Sequence, residues 1–264
     1  MSSRLPATIT YSLEEFARHG GLTGPHSDGW GIAYYGDRDA RVIRDVDAAA
    51  DSALVRFVAE RGQRSHTVIS HLRRATQGEV ALRNTQPFSR EVGGRTHLFA
   101  HNGDLAGVAD AAELVLDVDR PIGETDSEHA FCALLTRIRR LWGDGAEVPP
   151  IDARIETLAD FARSVRALGP ANFIYFDGDA LFLHGHQRKH DGEEDPRPPG
   201  LHTLCRSCTV GGTGFQTDGL TISGNNQHVV LAASVPLTNE HWEALAEGEI
   251  VVARRGEIVL RVGS

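Results

Sequence analysis

The order of the predicted elements indicates an α+β layered domain. Short strands fill the first third of the 264-residue chain, two long helices follow, and strands return in the last third. The regular strand–helix alternation that is typical of parallel α/β sheets is not found. The length allows a large core but not many domains, so we expect residues 1–264 to form one domain.

Local signals in the first half predict two helices and four strands. Ser12 and Glu15 form a capping box ahead of a short helix that ends at Gly20-Gly21. Two alternating segments joined through Gly36-Asp37 predict a hairpin. The predicted strands are residues 30–35, 41–46, 66–73 and 96–101, and a second helix covers residues 51–61.

The second half predicts the two long helices and a β-rich end. Thr125 or Asp126 caps a helix that runs to about Trp142, with Cys132 in its buried face, and a second helix covers residues 155–168. Residues 186–200 are charged and rich in proline, which predicts an exposed loop. The predicted strands are residues 172–176, 180–184, 229–233, 250–253 and 258–262.

Charge and composition narrow the class of partner. The formal net charge is -9 and the pI is about 5.8, so no basic field would gather nucleic acid or anionic lipid. A small polar substrate or a protein partner is expected instead. No apolar segment is long enough to cross a bilayer, the N-terminus lacks a signal-peptide pattern, and three cysteines suit a reducing compartment. We therefore expect a cytoplasmic protein.

Three short segments carry groups that suit an amino-acid amide as substrate. They are HLRRAT at residues 71–76, AHNGDL at residues 100–105 and GETDSE at residues 123–128. The Asn102 amide and the Gly103 N–H offer two donors that can converge on one oxygen, as an oxyanion hole requires. A plain Asn-Gly turn explains this pair equally well.

The other two segments offer one charge each. Arg73 can present its planar guanidinium to an α-carboxylate through two parallel hydrogen bonds, although a solvated arginine at a strand end is common. Asp126 can accept an α-ammonium group, although an acidic residue at a helix start is an ordinary capping feature. Each motif alone is therefore weak.

Taken together and in this order, the three motifs resemble the glutaminase domain of class II glutamine amidotransferases. SDGWGIAYY at residues 27–35 resembles the stand-alone bacterial branch of that family, and the similarity runs from Pro6 to Val262. The family belongs to the N-terminal-nucleophile hydrolases. The resemblance implies a four-layer αββα sandwich and hydrolysis of the glutamine side-chain amide to glutamate and ammonia, with no cofactor and no metal.

The resemblance also assigns roles to individual residues. It implies that Arg73 binds the glutamine carboxylate with Thr76 nearby, that Asp126 binds the α-amino group, and that Asn102 and Gly103 form the oxyanion hole. His71 and His101 are interpreted as structural. Glutamine or a γ-glutamyl compound is the implied ligand, and a separate synthase would accept the ammonia.

The first residues depart from the family pattern, in which a terminal cysteine is the nucleophile and its own α-amino group is the base. This chain begins Met1-Ser2-Ser3-Arg4-Leu5-Pro6. In one register, removal of Met1 exposes Ser2 as the nucleophile. In the favoured register, residues 1–5 match the loop that follows the first strand, so that strand and its cysteine are truncated. We therefore expect little or no turnover by the 264 residues.

Other interpretations stay open. His202, Cys205 and Cys208, with histidines upstream, can make a zinc site, although a single Cys-x-x-Cys pair is more typical of free thiols on a surface turn or of a labile disulfide. A non-catalytic glutamine sensor would keep the same binding residues. A γ-glutamyl amide hydrolase that acts on a conjugated metabolite would keep them too.

Overall fold

The computed structural model describes residues 1–8, 20–21, 26–145, 147–190, 192–208, 215–217, 220–222 and 227–263. The helix predicted after Ser12 lies outside these residues. The helices are α1 (Ala53–Arg61), α2 (Asp126–Trp142) and α3 (Ile151–Arg166). The strands are β1 (Ser2–Thr8), β2 (Trp30–Tyr35), β3 (Ala40–Asp45), β4 (Arg64–Leu72), β5 (Phe88–Val92), β6 (Arg95–Gly103), β7 (Ala171–Phe176), β8 (Leu181–His184), β9 (His202–Cys208), β10 (Phe215–Thr217), β11 (Leu220–Ile222), β12 (Gln227–Ala233), β13 (Glu243–Ala244), β14 (Ile250–Arg254) and β15 (Glu257–Val262).

Two large sheets carry the architecture. One has seven strands in the order β13-β9-β12-β1-β4-β2-β3, and the other has six in the order β15-β14-β8-β7-β6-β5. All the described strand pairings are antiparallel. Strands β10 and β11 form a separate small hairpin.

Three apolar layers define a sandwich of four layers. Ala33, Ile69 and Leu98 belong to the core between the sheets, whereas Ile32 and Val68, one residue earlier on β2 and β4, belong to the core under α1. Successive side chains on a strand point to opposite faces, so these apolar pairs require cover on both sides of the sheet. The six-stranded sheet packs its other face on α2 and α3. The order is helix, sheet, sheet, helix, which confirms the predicted αββα sandwich.

Helix boundaries follow capping groups. The Ser52 side chain accepts a hydrogen bond from the Val55 N–H at 3.3 Å, and Gly62 closes α1 in the left-handed region with φ of 59°. The Thr125 side chain accepts from the Glu128 N–H at 3.2 Å, so Thr125 is the N-cap of α2 and Asp126 is its first residue. The third helix begins at Ile151, four residues earlier than predicted, directly after Pro150.

The first residues form a strand where a loop was predicted. β1 lies between β12 and β4, with Ser2 opposite Val230 on one side and opposite Thr67 on the other. Its pairing with β4 is interrupted between Ser2 and Ala7, and Pro6 lies inside that irregular stretch. Proline has no N–H to give to a ladder, so the irregularity is what allows Pro6 in a central strand. The central position of this sheet is thus occupied.

Residues 202–208 were also assigned wrongly, as a surface turn. They form β9, which pairs along its whole length with β12. Cys205 is an exposed free thiol on this strand, and Cys132 is buried in α2 as predicted. A long polar strand at this position has no apolar alternation that would reveal it.

Candidate active site

The three predicted loops meet at one end of the sandwich. The Gln77 side-chain amide, in the loop after β4, donates to the Asp104 carboxylate after β6 at 2.9 Å. The Leu105 N–H, in the same loop as Asp104, donates to the Asp126 carboxylate at the start of α2 at 2.8 Å. Because β4 and β6 belong to different sheets, these two bonds connect both sheets and the helix layer at the site.

Arg73 extends β4 by one residue and is buried. Its N–H donates to the Gly29 carbonyl at 2.8 Å, and its guanidinium donates to the Gln77 and Gly78 carbonyls at 3.0 and 3.1 Å. Burial lowers the pKa of the guanidinium, while Asp28 and Glu124 raise it. Within the described residues no carboxylate lies within ion-pair distance of Arg73. A buried cation held by carbonyl groups is available to an anionic ligand.

Asn102 and Gly103 end β6. The exposed Asn102 side chain donates to the Ser234 hydroxyl at 3.0 Å, just past the end of β12. A Cβ on Gly103 would lie 1.7 Å from the Pro170 carbonyl oxygen, so only glycine fits there. The two donors predicted for an oxyanion hole therefore lie at the edge where the two sheets come together.

Asp126 uses both carboxylate oxygens within the protein. One accepts from the Leu105 N–H, and the other accepts from the Ser127 N–H at 2.7 Å and the Ser127 hydroxyl at 3.1 Å. A carboxylate oxygen has more than one acceptor position, so these bonds orient the carboxylate and leave acceptor positions for a further hydrogen bond. Thr76 is exposed on the neighbouring loop.

His71 and His101 lie close to these groups as neutral imidazoles. Burial lowers the pKa of His71 to about 3, and burial also lowers that of His101. The His101 Nδ1 atom lies 2.9 Å from the Ser127 hydroxyl, which in turn bonds to Asp126. Both histidines therefore act as uncharged packing and hydrogen-bonding groups, in line with their structural interpretation.

The structure does not bring Ser2 to these residues. Ser2 lies opposite Thr67 on β4, and Arg73 is six residues farther along, which corresponds to roughly 20 Å at about 3.3 Å per residue. The Ser2 hydroxyl accepts a hydrogen bond from the Gly256 N–H at 3.1 Å in a buried position. A serine nucleophile at this position would be far from Asn102 and Arg73.

The start of β1 stops short of the site along β4. The Met1 α-amino group donates to the Val68 carbonyl at 2.8 Å, and burial lowers its pKa to about 5. β4 continues past Val68 to Leu72, and Ser70 is exposed on it; the described residues provide no strand between this stretch and β12.

Gln86, which was not predicted from the sequence, joins the two sheets beside the site. Its side chain accepts from the His101 N–H at 2.6 Å and donates to the His101 carbonyl at 3.2 Å, as a neighbouring strand would. Its own carbonyl lies against Gly31, where a Cβ would come within 2.1 Å. The Gly31 in the Asp-Gly-Trp-Gly motif is the signal that could have indicated this close approach.

Comparison with known proteins decides the family. A sequence model described as "Glutamine amidotransferases class-II" matches residues 1–264. The chain belongs to the class II glutamine amidotransferases. An Escherichia coli K12 protein named "Putative glutamine amidotransferase YafJ" is 34% identical over 265 residues, which cover 98% of each chain. A Haemophilus influenzae Rd protein named in the same way is 32% identical over 269 residues, 99% of this amidotransferase chain and 85% of its own.

Solved structures agree with this membership. A crystal structure of a predicted glutamine amidotransferase from Pseudomonas aeruginosa PA01 has a TM-score of 0.70 and 33% identity, covering 98% of this chain and 97% of its own. The glutamine phosphoribosylpyrophosphate amidotransferase of B. subtilis shares the fold, with a TM-score of 0.53 at 13% identity over 99% of this chain and 48% of its own. The fold is that of the N-terminal-nucleophile amidotransferases.

Two further expectations concern metal and membrane. The described residues contain no group of three or more potential metal ligands; the Cys208 side chain lies outside them, so the zinc hypothesis for residues 202–208 stays a prediction. In the described part of the chain, no helix is both long and apolar enough to span a bilayer.

Proposed function

We propose that residues 1–264 form a single cytoplasmic glutaminase-like domain that binds L-glutamine and presents its side-chain amide for hydrolysis. Arg73 binds the α-carboxylate, Asp126 the α-ammonium group, and Thr76 contributes nearby. Asn102 and Gly103 stabilise the oxyanion. The observation that supports this most is that a buried Arg73, with no carboxylate partner among the described residues, and an oriented Asp126 are joined through Gln77, Asp104 and Leu105.

The reaction needs a nucleophile that these residues do not provide. In the proposed reaction, a cysteine thiolate adds to the amide carbon, ammonia leaves with a proton relayed by the terminal α-amino group, and water hydrolyses the thioester to glutamate. The first cysteine in the sequence is Cys132, which is buried in α2 and whose thiol pKa burial raises to about 11. We infer that the 264 residues bind glutamine but turn it over poorly. Ammonia released by an active form would pass to a separate synthase.

Binding is tested with matched ligands. Calorimetry on the 264-residue chain should show binding of L-glutamine, and weaker binding of 4-aminobutanamide, which lacks the α-carboxylate, and of glutaramate, which lacks the α-ammonium group. The Arg73→Met variant should bind 4-aminobutanamide as tightly as it binds glutamine. The Asp126→Asn variant should bind glutaramate as tightly as it binds glutamine. Each of the two substitutions should weaken glutamine binding at least about 10-fold, which is the loss expected for a charge-assisted hydrogen bond.

Turnover is tested by extending β1. In the antiparallel register Met1 faces Val68, so an extension of about five residues along β4 reaches the level of Arg73. A chain whose extension begins with cysteine should release ammonia from glutamine, and a matched extension that begins with alanine should not. If the cysteine-first chain releases no ammonia and the 264-residue chain does not bind glutamine, the proposed function is wrong.

Two alternatives give different results in the same assays. A glutamine sensor binds the ligand in calorimetry but shows no turnover even with the cysteine-first extension. The absence of cysteine from the first 131 residues is what favours this alternative. A γ-glutamyl amide hydrolase would turn over an N-substituted γ-glutamyl amide faster than glutamine itself.

A further inference from the structure

Asn172 is a buried amide on β7 that the proposed reaction does not use directly. It is 2% exposed, and its side-chain nitrogen donates to the Asn102 carbonyl at 3.0 Å and to the Gln187 carbonyl at 2.7 Å. Its side-chain oxygen accepts from the His186 N–H at 2.7 Å. A single side chain thus holds the end of β6 and the start of the 186–200 loop.

The bond to the Asn102 carbonyl acts on the oxyanion donor. The Asn102 carbonyl and the Gly103 N–H belong to one planar peptide, and in a trans peptide they point in opposite directions. Fixing the carbonyl therefore fixes the direction of the N–H. Hydrogen bonding at the carbonyl also polarises the peptide and strengthens the N–H as a donor.

The strand pattern shows where that N–H points. The Asp104 N–H donates to the Pro170 carbonyl on the β7 side at 3.1 Å, and hydrogen-bonding direction alternates along an antiparallel strand. The Gly103 N–H therefore points away from β7. The His101 N–H points to the same edge and donates a hydrogen bond to the Gln86 side chain. The Gly103 N–H is thus directed to the edge of β6 that is opposite β7.

Gly200 packs directly against the side chain of Asn172. A Cβ on Gly200 would lie 1.8 Å from the Asn172 side-chain oxygen, so the end of the 186–200 loop packs directly on this amide. This packing and the three hydrogen bonds hold Asn172 where it reaches the Asn102 carbonyl.

We propose that Asn172 is a positioning residue that orients the Asn102–Gly103 peptide for oxyanion stabilisation. This role rests on the proposed function, because it matters for chemistry only if Gly103 meets an oxyanion. It makes the end of the 186–200 loop part of the support of the active site.

The first test uses NMR on the 264-residue chain. Asn172→Leu removes both polar groups at similar volume, and Asn172→Asp keeps the oxygen that accepts from His186 but loses the donor. Both should shift the Asn102 carbonyl and Gly103 amide signals, and the Gly103 backbone order parameter should fall from about 0.85 towards about 0.6. The control Gln187→Ala removes a bond from that loop to Glu247 but leaves the Asn172 contacts in place.

The second test uses the cysteine-first chain. Asn172→Leu and Asn172→Asp should lower kcat about 10- to 100-fold with KM within about 2-fold, because the oxyanion forms only after binding; outright loss of a donor costs about 100- to 1000-fold. Unchanged Gly103 signals in both Asn172 variants, or equal changes in Gln187→Ala, would overturn the role of Asn172. Loss of glutamine binding in the unsubstituted chain would instead overturn the proposed function, and the NMR result would still decide the orientation of the peptide.

Discussion

The two ends of β4 differ in how they are built. At the Arg73 end, side chains from three distant loops are joined to one another and to backbone groups by hydrogen bonds of ordinary length. At the other end, β1 lies beside β4 with an irregular register and pairs with β12 only at Ser2 and Ser3. Within the described residues, the proposed binding residues Arg73 and Asp126 therefore have no hydrogen bond to β1, whose start lies opposite Val68.

Under the proposed function, this difference separates substrate binding from chemistry. Changes at the start of β1 should affect stability and turnover but leave glutamine affinity intact. Changes in the loops should affect stability and affinity together, since the same hydrogen bonds hold the loops and aim the binding groups. Stability and affinity measured side by side can therefore tell the two ends apart.

The largest stability effect is expected from the Met1 α-amino group. Its pKa falls from 8.0 to about 5 on burial, so below pH 8 the unfolded chain takes up a proton that the folded chain does not take up until about pH 5. Stability from this group is complete above pH 8 and falls as the pH drops to 5, by about 4 kcal/mol over three pKa units. Urea unfolding at pH 8 and pH 5.5 measures this loss, once intact mass confirms that Met1 is retained.

A chain with three glycines ahead of Met1 is the control, because its α-amino group moves away from the buried position beside the Val68 carbonyl. Its stability should depend less on pH over the same interval. Buried histidines such as His97, whose pKa burial lowers to about 3, contribute equally to both chains below pH 6.5 and cancel in the difference. Parallel pH dependences of the two chains would show that the start of β1 is not buried as described.

Most of the fold could be predicted because its signals are local. The β2–β3 hairpin, the β7–β8 hairpin and α2 each carry periodicity and a turn or cap within a few residues. β9 and the register of β1 could not be predicted, since polar residues and Pro6 enter the sheet only because neighbouring strands receive them. Strand propensity depends on such tertiary context.

The residues of the site likewise fall into those that the sequence could indicate and those that it could not. The proposed binding residues Arg73 and Asn102 lie at the ends of predicted strands and Asp126 at the start of a predicted helix, each in a recognisable motif, so the sequence could propose them. The roles of Gln86 and Asn172 were not predicted, because each acts through a side-chain bond to the backbone of a distant segment. For Gln86 the sequence offers an indirect signal, the Gly31 of the Asp-Gly-Trp-Gly motif. No spacing rule along the chain reports such a contact.

The next largest effect is expected for Asp126→Ala. The change removes the acceptor for the Leu105 N–H and for the N–H and hydroxyl of Ser127, all in buried positions. A buried donor without a partner costs about 1–3 kcal/mol, so we expect a loss of about 3 kcal/mol in the free energy of unfolding, together with loss of glutamine binding. Urea denaturation and calorimetry on the same sample measure both.

The control for Asp126 is Asp110→Ala, which removes an exposed carboxylate near the same loop and should change stability by no more than about 0.5 kcal/mol. A small effect of Asp126→Ala on both stability and affinity would contradict the idea that one set of hydrogen bonds builds the site and aims its binding groups.

The smallest effect is expected for Ser2→Ala. The change leaves the buried Gly256 N–H without its acceptor, which should lower the free energy of unfolding by about 1 kcal/mol. Glutamine affinity should stay within about 2-fold, because Ser2 lies roughly 20 Å along β4 from Arg73 at about 3.3 Å per residue. Ser70→Ala, on the exposed part of β4, is the matched control for a hydroxyl with little structural role. If Ser2→Ala instead weakened glutamine binding or removed measurable ammonia release, the two ends of β4 would have to lie in one site, and the separation of binding from the start of β1 would be wrong.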